Sequence, residues 1–164
     1  MKAVRIAVSL LLALAATAVV AESDAQKSFD KLKSFAGTWV GKTPSGEAVQ
    51  ETFRVTSNGS AVMSDIQGEG NMITMFHLDG DRLLMTHYCG SGNQPRMKAT
   101  ASPDGKTIAF EFLDATNLEG PKSGHMHHAV YTLKDPDHLT EEWTWSQDGK
   151  DTAHRFELER KKPI

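Results

Sequence analysis

The chain has 164 residues, of which 39% are hydrophobic and 24% charged, with a single cysteine and a formal net charge of −3. This composition is typical of one globular domain and argues against a disordered, collagen-like or disulfide-stapled protein. Because the net charge is negative and the basic residues form no stripe, we expect no nucleic-acid partner.

The N-terminal segment has the pattern of a secretory signal peptide. Lys2 and Arg5 precede an apolar run over residues 6–20. Such a run is too short to span comfortably the hydrocarbon core of a bilayer, which takes about 20 residues, and no later stretch is apolar enough. We therefore expect a signal peptide at residues 1–21, a single domain at residues 22–164, and a secreted or periplasmic protein with no membrane anchor.

A short helix is predicted directly after the signal. Ser23 can cap it, and Phe29, Leu32 and Phe35 fall on one side before the helix ends near Gly37. Because this helix leads straight into the first strand, we expect it to close the end of the sheet where that strand begins.

The rest of the chain has an all-β rhythm. From Lys42 onward, turn signals recur about every ten to fifteen residues, and the apolar residues between them alternate. Nine such turns make about ten strands, which Asn-Gly and Asp-Gly pairs should connect as antiparallel hairpins. A meander with one apolar face is best closed into an up-and-down barrel, which removes its unpaired edges.

The hairpin turns also predict the pairing register. We centre three hairpins on Asp79-Gly80, Asp104-Gly105 and Asp148-Gly149. In each hairpin the apolar faces then coincide, as a sheet with one buried side requires. The predicted cross-strand pairs include Phe76 with Leu83, Ala99 with Phe110, and Trp143 with His154.

The start of the first strand carries a family resemblance. Gly37-Thr38-Trp39-Val40-Gly41, preceded by Phe29-x-x-Leu32, resembles the start of lipocalin-like barrels, especially the nitrobindin-like group and related exported domains of unknown function. The resemblance implies the same barrel over nearly all of the mature chain. Residues 42–46 do not continue with the glycine motif of the nitrobindin-like group, so haem binding is not implied. The stretch from Thr86 to Met97 resembles a signature of an exported uncharacterised subgroup, which implies no activity.

The two ends of this barrel are expected to differ. The tight turns fall mainly at the helix end, whereas the longest loops, residues 90–94 and 115–124, fall at the other end, which we call the mouth. Strand alternation directs several polar side chains inward near the mouth. Burying such groups unpaired costs about 1 to 3 kcal/mol each, so they need partners, water or a ligand. The candidate ligand-binding residues are His87, Cys89, Asn93, Gln94, Arg96, Asn117, His125, His127, Tyr131, Trp143, Trp145 and His154.

Three interpretations of these residues remain open at this point. In the first, the histidines line a wet rim and hydrogen-bond to backbone and loop groups. In the second, a small apolar or amphipathic molecule occupies the lumen, with Tyr131, Trp143 and Trp145 among its walls. Arg96 then pairs with a facing carboxylate such as Asp114, or holds a carboxylate of the ligand.

The third interpretation is a metal or haem site. His125-x-His127 places two imidazoles on one face of a strand, which is the spacing of strand-borne zinc ligands, and His87-x-Cys89 repeats it. The candidate zinc ligands are His87, His125 and His127. By similarity to the nitrobindin-like group, His154 would be the axial ligand if haem bound.

No catalytic constellation is evident in the sequence. Cys89 has no activating partner, and Ser91 lacks the Gly-x-Ser-x-Gly frame of a nucleophile elbow. Inward-facing Glu51 and Glu141 fit a salt bridge, or a hydrogen bond such as Glu141 with Tyr131, better than paired acid and base catalysis. We therefore predict an exported barrel that binds a small molecule. The alternative is a metal- or haem-binding protein, enzymatic or not, that uses the same histidines, and the many methionines leave open whether side chains fill the lumen.

Overall fold

A computed structural model describes residues 22–43, 45–68, 70–101 and 105–162. The predicted signal peptide at residues 1–21 lies outside the described residues. Within them, no helix combines the length and apolar character that a membrane-spanning segment requires.

Ten antiparallel strands form one closed barrel. Each strand pairs with its neighbours in sequence, and the first strand pairs with the last. This confirms the predicted all-β, up-and-down architecture. The strands are β1 (Gly37–Lys42), β2 (Ala48–Thr56), β3 (Ala61–Gln67), β4 (Met72–Asp79), β5 (Arg82–Tyr88), β6 (Gln94–Ala101), β7 (Thr107–Thr116), β8 (His125–Asp135), β9 (His138–Gln147) and β10 (Lys150–Arg160).

The predicted N-terminal helix is present and covers one end of the barrel. Helix α1 spans Asp24–Lys33, and the Ser23 hydroxyl caps it by accepting the backbone N–H of Gln26 at 3.1 Å. Its apolar side and the residues that follow are buried against β2, β4, β5 and β6. The helix therefore closes the end at which β1 begins.

The half of the lumen next to α1 is filled by aromatic side chains. Tyr131 lies at the centre of this group, with its ring 5.7 Å from that of Phe76 and 6.0 Å from that of Phe110. Phe35 from the helix end packs edge-on against Phe53 at 5.5 Å. Such edge-to-face contacts add to the stabilisation that burial provides. The lumen is thus packed at the helix end.

Two of the three predicted registers are confirmed. Ala99 pairs with Phe110, and Trp143 pairs with His154. The register of the β4–β5 hairpin was wrong by two residues, because Asp79 and Arg82 close the turn and Phe76 therefore pairs with Met85. A shift of two residues leaves every side chain on its expected face, so the buried side is unchanged.

Candidate functional site

The mouth half of the lumen contains a cavity of about 400 Å³. This volume lies within the range of small-molecule sites, which are mostly apolar with a few placed polar groups. The cavity is lined by Thr43, Val49, Glu51, Ile66, Gly70, Met72, His87, Cys89, Gly90, Ser91, Met126, Glu141, Trp143, Trp145, His154, Phe156 and Leu158.

Five of the predicted site residues line this cavity. They are His87, Cys89, Trp143, Trp145 and His154. Three strands bring them together: His87 lies on β5 and Cys89 directly follows that strand, β9 carries both tryptophans, and β10 carries His154 directly opposite Trp143. The antiparallel alternation that predicted their convergence is therefore correct for these strands.

His87 is the most buried histidine of the site, with 1% of its surface exposed. Its Nδ1 lies 2.9 Å from the Thr74 hydroxyl on the neighbouring strand, and its ring lies 4.7 Å from that of Trp143. The described residues give Nε2 no hydrogen-bond partner. Burial lowers the pKa of His87 to about 4, so the imidazole is neutral at neutral pH.

Two buried glutamates lie at the inner end of the cavity. Glu51 on β2 and Glu141 on β9 are each 2% exposed, and their carboxyl groups lie within reach of each other, a contact that is favourable only with a proton on one of the two. The Ser64 hydroxyl donates to Glu51, and Trp143 Nε1 donates to Glu141 Oε2 at 3.1 Å. Burial raises the pKa of both carboxyls, and that of Glu141 lies well above its ordinary value.

Tyr131 belongs to the packed half of the lumen and does not line the cavity. It pairs with Glu141 in the β8–β9 register, as the sequence predicts, yet its buried hydroxyl has no hydrogen-bond partner among the described residues. Burial, together with the nearby charges of Glu141 and Glu51, raises the pKa of the phenol well above 10. The expected hydrogen bond from Tyr131 to Glu141 is therefore not formed.

His125 and His127 do not line the cavity, contrary to the predicted inward alternation of β8. The β8–β9 register shifts between Met126 and His128, so that Met126 lies opposite Trp145 and lines the cavity. A bulge of this kind inserts one residue into a strand and changes the faces beyond it.

The two imidazoles instead form a separate cluster on Phe112. Their ring centroids lie 4.6 Å and 5.2 Å from the phenyl ring. His125 Nδ1 donates to the Ser123 carbonyl at 2.9 Å, and its Nε2 then accepts from His127 Nδ1 at 3.3 Å. These two histidines therefore satisfy each other and the backbone, as the wet-rim interpretation describes.

The zinc interpretation loses its ligand set with this arrangement. Of its three candidates, His87 lines the cavity while His125 and His127 lie in the cluster on Phe112. In the part of the chain that the structure describes, no group of three or more His, Cys, Asp or Glu side chains could hold a metal ion.

Haem binding would depend on the same cavity. Two carboxyl groups occupy the inner end of the cavity, and no Lys or Arg in the described lining could pair with haem propionates. This lining does not fit haem.

Arg96 lies on the outside of the barrel. The side chain is 55% exposed, and its guanidinium forms a two-pronged ion pair with the Asp114 carboxylate. The β6–β7 register shifts between Arg96 and Met97, and it is Met97 that is buried. Of its two predicted roles, the pairing with Asp114 is therefore the one found, and Arg96 does not orient a ligand in the cavity.

The remaining candidates hold the mouth loops together. Asn93 Nδ2 donates to the Gly124 carbonyl at 2.9 Å, and Asn117 Nδ2 donates to the Gly92 carbonyl at 2.7 Å. Gln94 lies in the same network and accepts from Thr116 at 2.6 Å. Asn93 and Asn117 also line a second, more polar cavity of about 310 Å³ between the loops, and Trp145 lines both cavities.

Sequence reasoning missed several residues that shape the site. Met72 and Met126 line the cavity, and the fully buried side chains of Ser64 and Thr74 hydrogen-bond to Glu51 and His87. Strand alternation in β3 and β4 could have predicted that these two hydroxyls point inward, because Ser64 lies two residues from buried Val62 and Thr74 lies two residues from buried Phe76. A small polar residue at an inward position is a candidate partner for a buried ionisable group.

Comparison with known proteins supports the fold and leaves the activity open. No protein-family model and no curated protein match the sequence. The crystal structure of Rv2717c from M. tuberculosis is similar, with a TM-score of 0.53 and 17% sequence identity over 82% of this chain and 98% of that chain. The structure of EF1p2_mFAP2b bound to DFHBI also matches over 82% of this chain and 98% of that chain, at 12% identity. Its TM-score of 0.37 is too low to show a shared fold. At these identities the likeness to Rv2717c shows the fold alone.

Proposed function

We propose that this protein is an exported barrel that binds a small amphipathic molecule in the cavity at its mouth. The observation that carries the proposal is the contrast between the two halves of the lumen. Aromatic side chains fill the half next to α1, whereas the mouth half leaves a cavity of about 400 Å³. A barrel of this kind is wide enough for its own side chains or for one small ligand.

The cavity walls match such a ligand. Trp143, Trp145 and Phe156 offer flat apolar surface, and Met72 and Met126 are flexible side chains that adapt to an irregular shape. Buried polar atoms with no protein partner, such as His87 Nε2, cost about 1 to 3 kcal/mol each unless a ligand or water pairs with them. A ligand with an apolar body and a polar end satisfies both features.

Export and family membership are part of the same proposal. The pattern of residues 1–21 supports export to the periplasm or the medium. The Gly37 to Gly41 motif and the shared fold support a place among lipocalin-like barrels, in the nitrobindin-like group or a related set of exported domains. Mass spectrometry of the protein recovered outside the cytoplasm tests the first point: we expect a chain that starts at Glu22, and a chain that retains residues 1–21 contradicts it.

Binding is tested by titration with N-phenyl-1-naphthylamine, a neutral fluorescent probe. We expect saturable binding of one probe per barrel, with a blue shift of its emission and quenching of tryptophan fluorescence, because two of the three tryptophans line the cavity. Ile66→Trp should fill the cavity and weaken binding by about tenfold or more.

The matched control introduces a tryptophan on the outer surface of the barrel instead of in the cavity. Ile73 lies on β4 and is 38% exposed, so Ile73→Trp should leave probe affinity unchanged. Thermal unfolding of both variants checks that each is folded. Equal probe affinity of Ile66→Trp and the wild type would place the probe elsewhere and refute the proposed site.

A further inference from the structure

The two glutamates at the inner end of the cavity lack a positively charged partner. Glu51 and Glu141 come from β2 and β9, which β1 and β10 separate in the barrel, and their carboxyls meet across the lumen. Among the described residues, neither makes an ion pair with Lys, Arg or His. Glu51 accepts from the Ser64 hydroxyl and Glu141 Oε2 accepts from the Trp143 indole, whereas the buried Glu141 Oε1 has no hydrogen-bond partner among the described residues. The pair is therefore stable only while it holds a proton, because buried carboxylates without a cation are strongly disfavoured.

A second buried group also points to a ligand. His87 reaches Thr74 with one ring nitrogen, which turns the other nitrogen, Nε2, away from that partner. Nε2 is buried and unpartnered, and the residue lines the same cavity as the glutamates. Buried polar atoms are almost always paired in folded proteins, so an unpaired one in a cavity needs a ligand atom or a water as its partner.

The charged and titratable groups that face the two glutamates determine the sign of the charge that a ligand can carry. His87 from β5 is neutral, Tyr131 from β8 is an un-ionised phenol, and His154 from β10 lies at the exposed rim with Cys89 nearby. The described lining contains no Lys or Arg. A ligand with a negative charge would therefore meet carboxyl groups and no compensating cation.

We propose that the ligand is an organic cation, an amine or amidine with an apolar body. Its N–H groups donate to the Glu51–Glu141 pair, and its body lies between Trp143 and Trp145. A metal ion is the wrong cation for this place, because the described residues form no cluster of three donors that could hold one. The inference rests on the proposed ligand-binding function and adds the chemical class of the ligand.

Binding of such a cation replaces the shared proton. When the ammonium group donates to both carboxyls, it takes the place of the proton that joined them: that proton is released to solvent, the charge of the pair goes from −1 to −2, and the complex with the ammonium keeps a net charge of −1. Charge-assisted hydrogen bonds of this type are stronger than those between neutral groups. Affinity should therefore rise with pH until the amine itself begins to lose its proton.

Three ligands of similar size and different charge test the inference. We would measure displacement of N-phenyl-1-naphthylamine by 2-(1-naphthyl)ethylamine, 2-(1-naphthyl)ethanol and 1-naphthylacetate near pH 7.5. The amine should bind at least about tenfold more tightly than the alcohol, and the acetate should bind weakest. Calorimetry in two buffers of different ionisation enthalpy should detect proton release with the amine and none with the alcohol.

Glutamine variants test whether Glu51 and Glu141 are the residues that recognise the positive charge of the ligand. Glu141→Gln and Glu51→Gln should each bring the amine and the alcohol to nearly equal affinity while the neutral probe still binds. Glu142→Gln is the matched control, because its side chain lies next along β9 and is 43% exposed. It should keep the preference for the amine.

The outcomes separate this inference from the proposed function. If the alcohol binds as tightly as the amine, or if both cavity variants keep the preference, the ligand is not a cation although the binding barrel stands. If neither the probe nor any of the three ligands binds, the binding function fails together with the inference. Should one glutamine variant fail to fold, the ligand series and the proton release of the wild type still decide the point.

Discussion

The guanidinium of Arg160 lies over the indole of Trp39 at 4.1 Å, and this contact joins the last strand of the barrel to the first. Trp39 is fully buried and donates from Nε1 to the Phe35 carbonyl at 2.8 Å. Arg160 donates to the carbonyls of Ala36, at 2.7 Å, and Ser34, at 3.1 Å, just beyond α1. The tryptophan of the Gly-x-Trp motif therefore fixes both the barrel closure and the position of the helix.

Arg160→Ala should destabilise the fold by about 2 kcal/mol, because it removes the cation–π contact and several hydrogen bonds to backbone carbonyls. Urea unfolding monitored by tryptophan fluorescence measures the loss. Arg155→Ala is the control, since Arg155 lies on the same strand but makes only exposed ion pairs, which contribute little. Equal stability of the two variants would mean that the Arg160 contact with Trp39 and its hydrogen bonds have no energetic role.

Gly124→Ala should displace the Trp145 indole from the cavity wall. A Cβ atom at this glycine would overlap the Trp145 six-membered ring, so the ring must move. We expect a change in tryptophan emission and weaker binding of N-phenyl-1-naphthylamine. Gly120→Ala, in the same loop, meets no atom within 4 Å and should alter neither signal. Unchanged emission and affinity in Gly124→Ala would contradict the position of Trp145.

His87 should make the protein less stable in acid. Its pKa is about 4 when folded and 6.5 as a free group, so below pH 6.5 the unfolded chain binds a proton that the folded protein does not. Between these two values the wild type should lose about 3 kcal/mol more stability than His87→Gln.

The measurement is urea unfolding over that pH range, supported by NMR titration of the imidazole. His77→Gln serves as the control, because His77 is exposed on β4, and its pH profile should follow that of the wild type. An imidazole at position 87 that titrates near 6.5 would show that the ring is hydrated and would remove the basis of the prediction.

Glu141 should have the opposite effect from His87 on the pH dependence of stability: it should make the protein less stable as the pH rises. Its pKa is raised in the folded protein, so its stabilising effect is complete below the unfolded value of 4.5 and is lost as the pH rises through the folded pKa. Relative to Glu141→Gln, which keeps a neutral side chain, the wild type should lose more than about 1 kcal/mol between about pH 5 and pH 8.

Parallel unfolding curves for the two proteins at these pH values test this slope. Glu142→Gln on the outer face should show the pH dependence of the wild type. A constant stability difference between wild type and Glu141→Gln would mean that the buried carboxyl pair does not hold its proton.

Local patterns predicted most of the barrel. Turn pairs such as Asp148-Gly149 set the register of β9 and β10, and strand alternation placed Trp143 and His154 at the cavity, because both signals depend on residues close together in the chain. Even the misjudged β4–β5 turn left the inward faces correct, since its error was an even number of residues.

The tertiary structure decided the rest of the site. A bulge between Met126 and His128 moved His125 and His127 away from the cavity, and alternation cannot reveal a bulge because the extra residue does not change the local pattern. Glu51 and Glu141 both face inward by sequence, yet only closure of the barrel brings two non-adjacent strands close enough for their carboxyls to share a proton. Where no bulge intervenes, the sequence thus determined which side chains point into the lumen, and the curvature of the closed sheet determined which of them meet.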